Sequence, residues 1–519
     1  MQIVLTCFAV PLLWAAATLR ADDQPQWGQR DSRNLVSDEK GLPDGFDPGS
    51  RNPRTDLIDL ATTSNVRWVA RLGNQTYGSP VIAGGKVFVG TNNEEPRDPR
   101  IEGDRGVMMC LDERTGRFLW QLVVPKLYEI KWSDWHYVGI TSPPSVEGNR
   151  AYLVSNRCEV ICLDVNGMAD GNDGPYTDEG RHMVPAGDKP LAPGDKDADI
   201  IWVYDMVAEA GVYPHNASSC SILIHGDQLY VCTGNGVEWS HEEVPKPEAP
   251  TLVVLDKRTG KLVARDRFGT GTNIIHGQWS SPSLGRVAGK PRMFLGGGDG
   301  YVYAFEPLTA DGHLDDKAGR EPRFLNNFWM FNGHPFAQTQ EDVEIEHGYD
   351  CASYEVFSMP VFYNNRVYVT VSQDPWYKKD LGWLVCIDAT TQGDLTRRGL
   401  VWSYKDTGAT LSTVSIADGL LYVADYAGRL HCLDAKTGEC YWVHDAGRPI
   451  WSSTLVADGK VYLGTGRNLF WVLAHGKQLK VISRIRMPDR IYTTPTAANG
   501  VLYVATNKRM YAIGGKLTP

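Results

Sequence analysis

The chain has 519 residues, 42% of them hydrophobic and 22% charged, which is ordinary globular material and enough for one large domain or several small ones. A formal net charge of −10 with no Lys/Arg cluster excludes a nucleic-acid surface, since such a surface must neutralise phosphates with clustered cations. Sixteen Trp and 53 Gly suit many short strands joined by tight turns better than a helical bundle.

In chain order, the first element is an apolar run from Ile3 to Ala17, followed by Thr18-Leu19-Arg20-Ala21-Asp22 with small residues for cleavage after Ala17 or Ala21. Residues 1–21 read as a signal peptide, so the protein is expected to be exported to the periplasm or cell envelope. Cys7 stands too near the start to be a lipoprotein cysteine. Residues 22–64, with Trp27 and Gly41-Leu42-Pro43, are expected to form a leader wrapped along the outside of the domain.

From residue 65 to 514 one phrase recurs, and its cleanest copy is Ser412 to Trp442, STVSIADGLLYVADYAGRLHCLDAKTGECYW. Four segments of period-two alternation are separated there by Asp418-Gly419, Ala427-Gly428 and Thr437-Gly438, so each repeat predicts a four-stranded antiparallel meander. Further copies begin at Gly78, Ser142, Ser218, Ser280, Phe357, Ser452 and Thr493, eight in all. The last reaches Gly514 with three strands and lacks a fourth. Asn65-Val66-Arg67-Trp68-Val69-Ala70 is an orphan strand that carries the missing Trp. The fold class is therefore all-β: an eight-bladed β-propeller of four-stranded antiparallel blades, its ring closed by the N-terminal strand, which leaves no open edge.

The outer-strand Trp recurs as Trp68, Trp120, Trp202, Trp329, Trp402 and Trp442, replaced by Ala264 in the third copy and Ser483 in the seventh. These rings are expected to be structural, packed between blades. Cys110, Cys162, Cys386 and Cys432 each precede Asp by two residues in MCLD, ICLD, VCID and HCLD, a recurring position that reads as buried packing rather than a disulfide framework. Cys158, Cys220, Cys232, Cys351 and Cys440 stay open between the two readings.

The insertion 166–199 in the second blade is rich in Gly, Pro and Asp and is expected to be a solvated loop. Asp170, Asn172, Asp173 and Asp178 fail the spacing of an EF-hand. If the inner strands start at Tyr77, Ile140, Asn216, Trp279, Val356, Leu411, Trp451 and Tyr492, their ends line the mouth of a central channel. Near that rim lie Trp135-His136-Tyr137, His215, Glu238-Trp239-Ser240-His241, His276-Gly277-Gln278, Tyr349-Asp350 and Gln373-Asp374-Pro375-Trp376. Aromatic faces mixed with polar tips suit a sugar, a peptide or a small planar ligand. The histidines show no His-x-x-x-His spacing and lie on different blades, so they read as satisfied single groups rather than a metal cluster. Neither a Gly-x-Ser-x-Gly elbow nor a Gly-rich phosphate loop occurs.

With Leu-Asp-x-x-Thr-Gly-x-x-x-Trp in hand, as LDERTGRFLW and LDAKTGECYW, residues 65 to 514 resemble the pyrroloquinoline-quinone (PQQ) repeat propeller superfamily, with its quinoprotein alcohol dehydrogenase-like fold. That resemblance implies either a PQQ-dependent alcohol or sugar dehydrogenase or a cofactor-free scaffold of outer-membrane assembly. In the dehydrogenases a calcium or lanthanide ion and an Asp act beside a quinone held between a Trp and a disulfide of adjacent cysteines. Asn235, in Thr233-Gly234-Asn235-Gly236, matches a metal ligand of that family, and Glu159 lies near the position of its Glu ligand. His276-Gly277-Gln278-Trp279-Ser280 resembles its His-Asp-x-Trp-Asp segment, which makes His276, Trp279 and Asn235 cofactor-facing and Glu159 with Asn235 metal-facing under that alternative. Gly277 and Ser280 replace both acids, Ala217 and its neighbours offer no stacking Trp, and no two cysteines are adjacent. A non-catalytic exported binding or scaffold propeller is therefore the expected function, with no cofactor. PQQ and calcium enter only under the enzyme alternative. The expected partner is a protein or small molecule at the rim, including a membrane-associated one, with no nucleic acid and a monomeric chain.

Overall fold

The computed structural model describes residues 22–127, 133–308, 323–334, 354–375 and 380–515. The signal segment, Cys7, Tyr349-Asp350, Cys351 and Trp376 fall outside these. Eight antiparallel sheets share one strand order, first to fourth in sequence, and surround a common axis. Blades 1 to 7 span 81–125, 145–205, 223–265, 283–332, 361–404, 415–445 and 455–486. Blade 8 takes three strands from 496–513 and its fourth from Val66–Arg71, paired antiparallel with Arg509–Ile513. The two ends of the propeller sequence thus close the ring as its incomplete last repeat requires. Short parallel strands from the next blade, Arg323–Phe324 and Gly393–Asp394, cover the outer edges of blades 3 and 4.

Each repeat folds as its alternation dictates. In six blades the cross-strand partner of the third-strand residue at the bulge is the recurrent Trp: Cys110 faces Trp120, Cys162 Trp202, Cys386 Trp402, Cys432 Trp442, Ala304 Trp329 and Ala512 Trp68. Val254 faces Ala264 and Val472 faces Ser483 at the same register. The four Cys are small because a large ring lies beside them, and all are buried free thiols. So are Cys158, Cys220 and Cys232, while Cys440 is a half-buried one.

The Trp rings fix the spacing between blades. The indole N–H of Trp68 donates to Glu113 O, that of Trp120 to Val165 O, of Trp202 to Lys257 O, of Trp402 to Ala435 O and of Trp442 to Gly476 O, all in the third-to-fourth turn region of the following blade at 2.9 to 3.2 Å. The ring lies against the turn glycine of the Thr-Gly pair, as Trp402 does on Gly438, and a methyl group there would overlap it. Trp329 finds no acceptor among the described residues. Gly45 of the leader lies against Ser483, filling a site where other blades carry an indole.

The first part of the leader, residues 22–37, does not run along the outside, whereas Gly45 in its later part lies against the outer strand of blade 7. Residues 22–37 make one circuit of the channel and meet the innermost strand, or its turn, in all eight blades. Backbone N–H groups of Ile82, Val146, Leu284, Phe362, Val456 and Asn499 donate to leader carbonyls, and Val36–Ser37 adds a parallel strand to blade 7. Asn34 pairs with the backbone of Ile416 in both directions. The reason is physical. An inner strand has a partner on one side only, and its free N–H and C=O groups would otherwise face the channel. Arg33, fully buried with φ +58°, completes the seal: its guanidinium donates to the carbonyls of Trp27, Ser221, Ile222 and Pro282 and to Ser221 Oγ.

Candidate functional site

With one end closed by the leader, the channel becomes a blind pocket. The first strands begin a few residues later than expected, at Val81, Ser145, Leu223, Ser283, Val361, Ser415, Leu455 and Thr496; the segments leading into them line the wall from every blade, and Trp27 supplies the floor. The cavity holds about 220 Å³. Its wall is aromatic on two sides. Tyr77 and Tyr492 stack at 5.2 Å and 13° with Trp451 edge-on to Tyr77, and on the other side Trp279 stacks on Phe357 at 5.6 Å and 19°. Burial raises the Tyr77 phenol to about 12, so it serves as a neutral hydrogen-bonding group. Of the expected strand starts, Tyr77, Asn216, Trp279, Leu411, Trp451 and Tyr492 line the pocket, whereas Thr141 and Phe357 stand where Ile140 and Val356 were expected.

One corner is polar. His276 Nδ1 donates to Asp374 Oδ2 at 2.7 Å, joining the loop before blade 4 to the loop after the second strand of blade 5. His276 also packs edge-on against Trp279 at 4.9 Å. Behind it, His215 and His241 complete a triangle of imidazoles with ring centroids 4.6 to 4.8 Å apart. His241 Nε2 lies 3.0 Å from His276 Nε2. His215 Nδ1 donates to Val237 O at 2.8 Å, and its buried Nε2 has no hydrogen-bond partner. Burial, followed by the neighbouring imidazoles, pushes His215 well below the ordinary histidine value and His241 in the same direction.

The histidines expected to be separate groups are therefore together. His215 and His276 lie in the segments that lead into the inner strands of blades 3 and 4, which begin at Leu223 and Ser283, and His241 follows the second strand of blade 3. Local spacing conceals this, but register within the repeat places all three at one mouth. The Asp374 partner was equally hidden, because it comes from another blade 98 residues away.

The other expected site residues lie elsewhere or are occupied. Asn235 is fully buried; its Oδ1 accepts from Tyr213 N at 2.9 Å and its Nδ2 donates to Lys246 O at 3.0 Å, so the amide braces two loops. Glu159 is enclosed by Arg157, Ser155 and His182, the last from a short helix, Glu179–His182, inside the insertion expected to be solvated. Burial would raise the Glu159 carboxyl, but His182 and then Arg157 outweigh it and hold it at about 2. Trp279 does line the pocket, with its indole N–H directed at His215 O and Ala217 O. A hard cation needs several oxygen ligands. These two candidate oxygens already serve backbone and ion-pair partners, and the described cysteines form no disulfide to cover a quinone. The residues do not fit calcium and PQQ.

A sequence model of the family described as outer membrane protein assembly factor BamB matches residues 104–307 and 382–479, more than half of the chain. The chain belongs to this PQQ-repeat family. No curated protein matches it in sequence. Among solved structures it is similar to BamB from Moraxella catarrhalis, at 14% identity and a TM-score of 0.53, covering 88% of this chain and 98% of that one. A europium-containing methanol dehydrogenase is similar at 12% identity and 0.55, covering 93% and 89%. The quinohemoprotein alcohol dehydrogenase from Comamonas testosteroni is similar at 10% and 0.58, covering 96% and 81%. At these identities the likeness is one of fold, which the PQQ-repeat propeller shares between assembly factors and dehydrogenases.

Proposed function

We propose that the protein is a non-catalytic binding propeller of the cell envelope, which holds a small ligand, or the tip of a protein partner, by a flat apolar face in its axial pocket. The observation that carries this reading is the blind, aromatic-walled cavity with a single polar corner. Stacked aromatic pairs on opposite walls favour a planar ring or the apolar face of a sugar, and Asp374 and Asn216 give one edge of it hydrogen bonds. The envelope setting rests on the family's description as an outer-membrane assembly factor. The lack of fit to calcium and quinone argues against the dehydrogenase reading.

Calorimetry and intrinsic Trp fluorescence with aromatic acids, monosaccharides and short peptides ending in an aromatic residue test the proposal. At least one class should bind with a fluorescence change, and Trp451→Ala should weaken it tenfold or more. Stoichiometric uptake of PQQ with calcium, accompanied by dye reduction with alcohols, would overturn it.

A further inference from the structure

We propose that His215, His241 and His276 form a binding site for a first-row divalent metal ion of the zinc class. One ring nitrogen from each lies within 4.8 Å of the others, and all three residues are buried. The inference goes beyond ligand capture by the pocket and does not depend on what fills it.

Three features distinguish the cluster from a chance packing of imidazoles. First, the outward nitrogens are already fixed. Nδ1 of His276 donates to the Asp374 carboxylate and Nδ1 of His215 to the Val237 carbonyl, so both rings turn an Nε2 lone pair away from those partners. This is the arrangement in which metal-ligating histidines are oriented and made more basic. Second, His215 Nε2 is buried without a partner, in a residue 1% exposed. A buried acceptor left unmet is costly, and a shared cation would satisfy it. Third, the spacing suits an ion. Two nitrogens bound at the usual zinc distance to one tetrahedral centre lie roughly 3.3 Å apart, and His241 Nε2 and His276 Nε2 are 3.0 Å apart. Three imidazoles with no thiolate select zinc, copper, nickel or iron over calcium and magnesium, and they leave at least one coordination position for water or ligand.

The experiment uses untagged full-length protein, stripped with chelator and titrated with Zn²⁺ alone in calorimetry, with Co²⁺ as a spectroscopic probe. One Zn²⁺ per chain should bind, and Co²⁺ should give visible bands of low-symmetry coordination. His241→Ala should weaken Zn²⁺ at least a hundredfold. Asp374→Asn, which keeps an acceptor for His276 Nδ1 but removes its charge, should weaken it roughly ten- to a hundredfold. Retention of the wild-type circular dichroism spectrum separates metal loss from unfolding. His225→Ala, a change outside the cluster, should leave binding unaltered. Failure of wild-type protein to bind Zn²⁺, or binding that His241→Ala and Asp374→Asn leave unchanged, would overturn the site. Ligand uptake by the pocket is read separately through Trp451→Ala.

Discussion

Two buried charges give opposite lessons about ionisable groups in this fold. Arg33 has no carboxylate partner; its guanidinium is held by neutral oxygens alone, and desolvation lowers its pKa to about 10. Replacing it with Ala would strand four carbonyls beneath the pocket floor. A stability loss of about 3 kcal/mol is expected, read as a lower denaturant midpoint. Arg33→Lys should recover less than half of it, because an ammonium cannot span the same fork of acceptors. Asp299 is buried in blade 4, accepting from Tyr303 Oη at 2.6 Å, and burial raises its carboxyl to about 6; Asp266 is raised likewise. Between about pH 4 and 6 the folded chain then holds protons that the unfolded chain has released, so stability falls as pH rises through that window. Asp299→Asn should flatten the fall by on the order of 2 kcal/mol, measured as the difference in unfolding free energy between pH 4 and pH 7. Glu159, held at about 2, acts in the opposite sense and only in more acidic solution. An identical pH slope in Asp299→Asn and wild type would show that Asp299 is not the group responsible.

At the scale of the strand and turn, nearly everything that makes a blade was legible in the sequence. The period-two alternation, the Gly turns and the Trp register all come from local chemistry repeated eight times, and repetition exposes it. Even the exceptions, Ala264 and Ser483, fall at the register the repeat assigns them. The turn glycines separate into two kinds that sequence alone does not distinguish. Gly419 has φ +78° and open space around it, whereas Gly438 has φ +77° and would drive a methyl group to 2.6 Å from the Trp402 ring. Gly419→Ala should therefore cost about 1 kcal/mol, the left-handed backbone penalty, and Gly438→Ala should cost about 3 kcal/mol because overpacking between blades adds to it. Equal midpoints for the two variants in chemical denaturation would refute this account of the Trp–Gly contact. What was not legible was the pairing of loops from different blades. His276 with Asp374, and His241 with His215, are non-local contacts with no period to reveal them. The path of the leader is hidden for a related reason: residues 22–37 carry little strand pattern because their partners are edges presented by eight separate segments.

For the whole molecule, the ring and its plug are distinct devices and should fail differently. Val66–Arg71 joins blade 8 to the start of the chain, and without it the last sheet has three strands and an exposed outer edge. Residues 22–37 instead run round the inner edges and supply Trp27 and Arg33, but they complete no four-stranded blade. Deleting residues 22–37 should therefore leave a folded monomeric ring with a channel open at both ends. Its expected signs are a lower melting temperature, binding of a hydrophobic dye and loss of ligand affinity in the pocket. The proposed metal-binding triangle, built on blades 3 and 4 with support from blade 5, should still load with Zn²⁺, since Val237 and Asp374, which orient its rings, belong to blades 3 and 5 and not to the leader. Deleting residues 22–71 should remove closure itself and send the chain to oligomers through the unpaired strand Arg509–Ile513. Size-exclusion chromatography with light scattering distinguishes the two. If the shorter deletion also lost its monomeric state, the leader rather than the shared eighth blade would be holding the ring together.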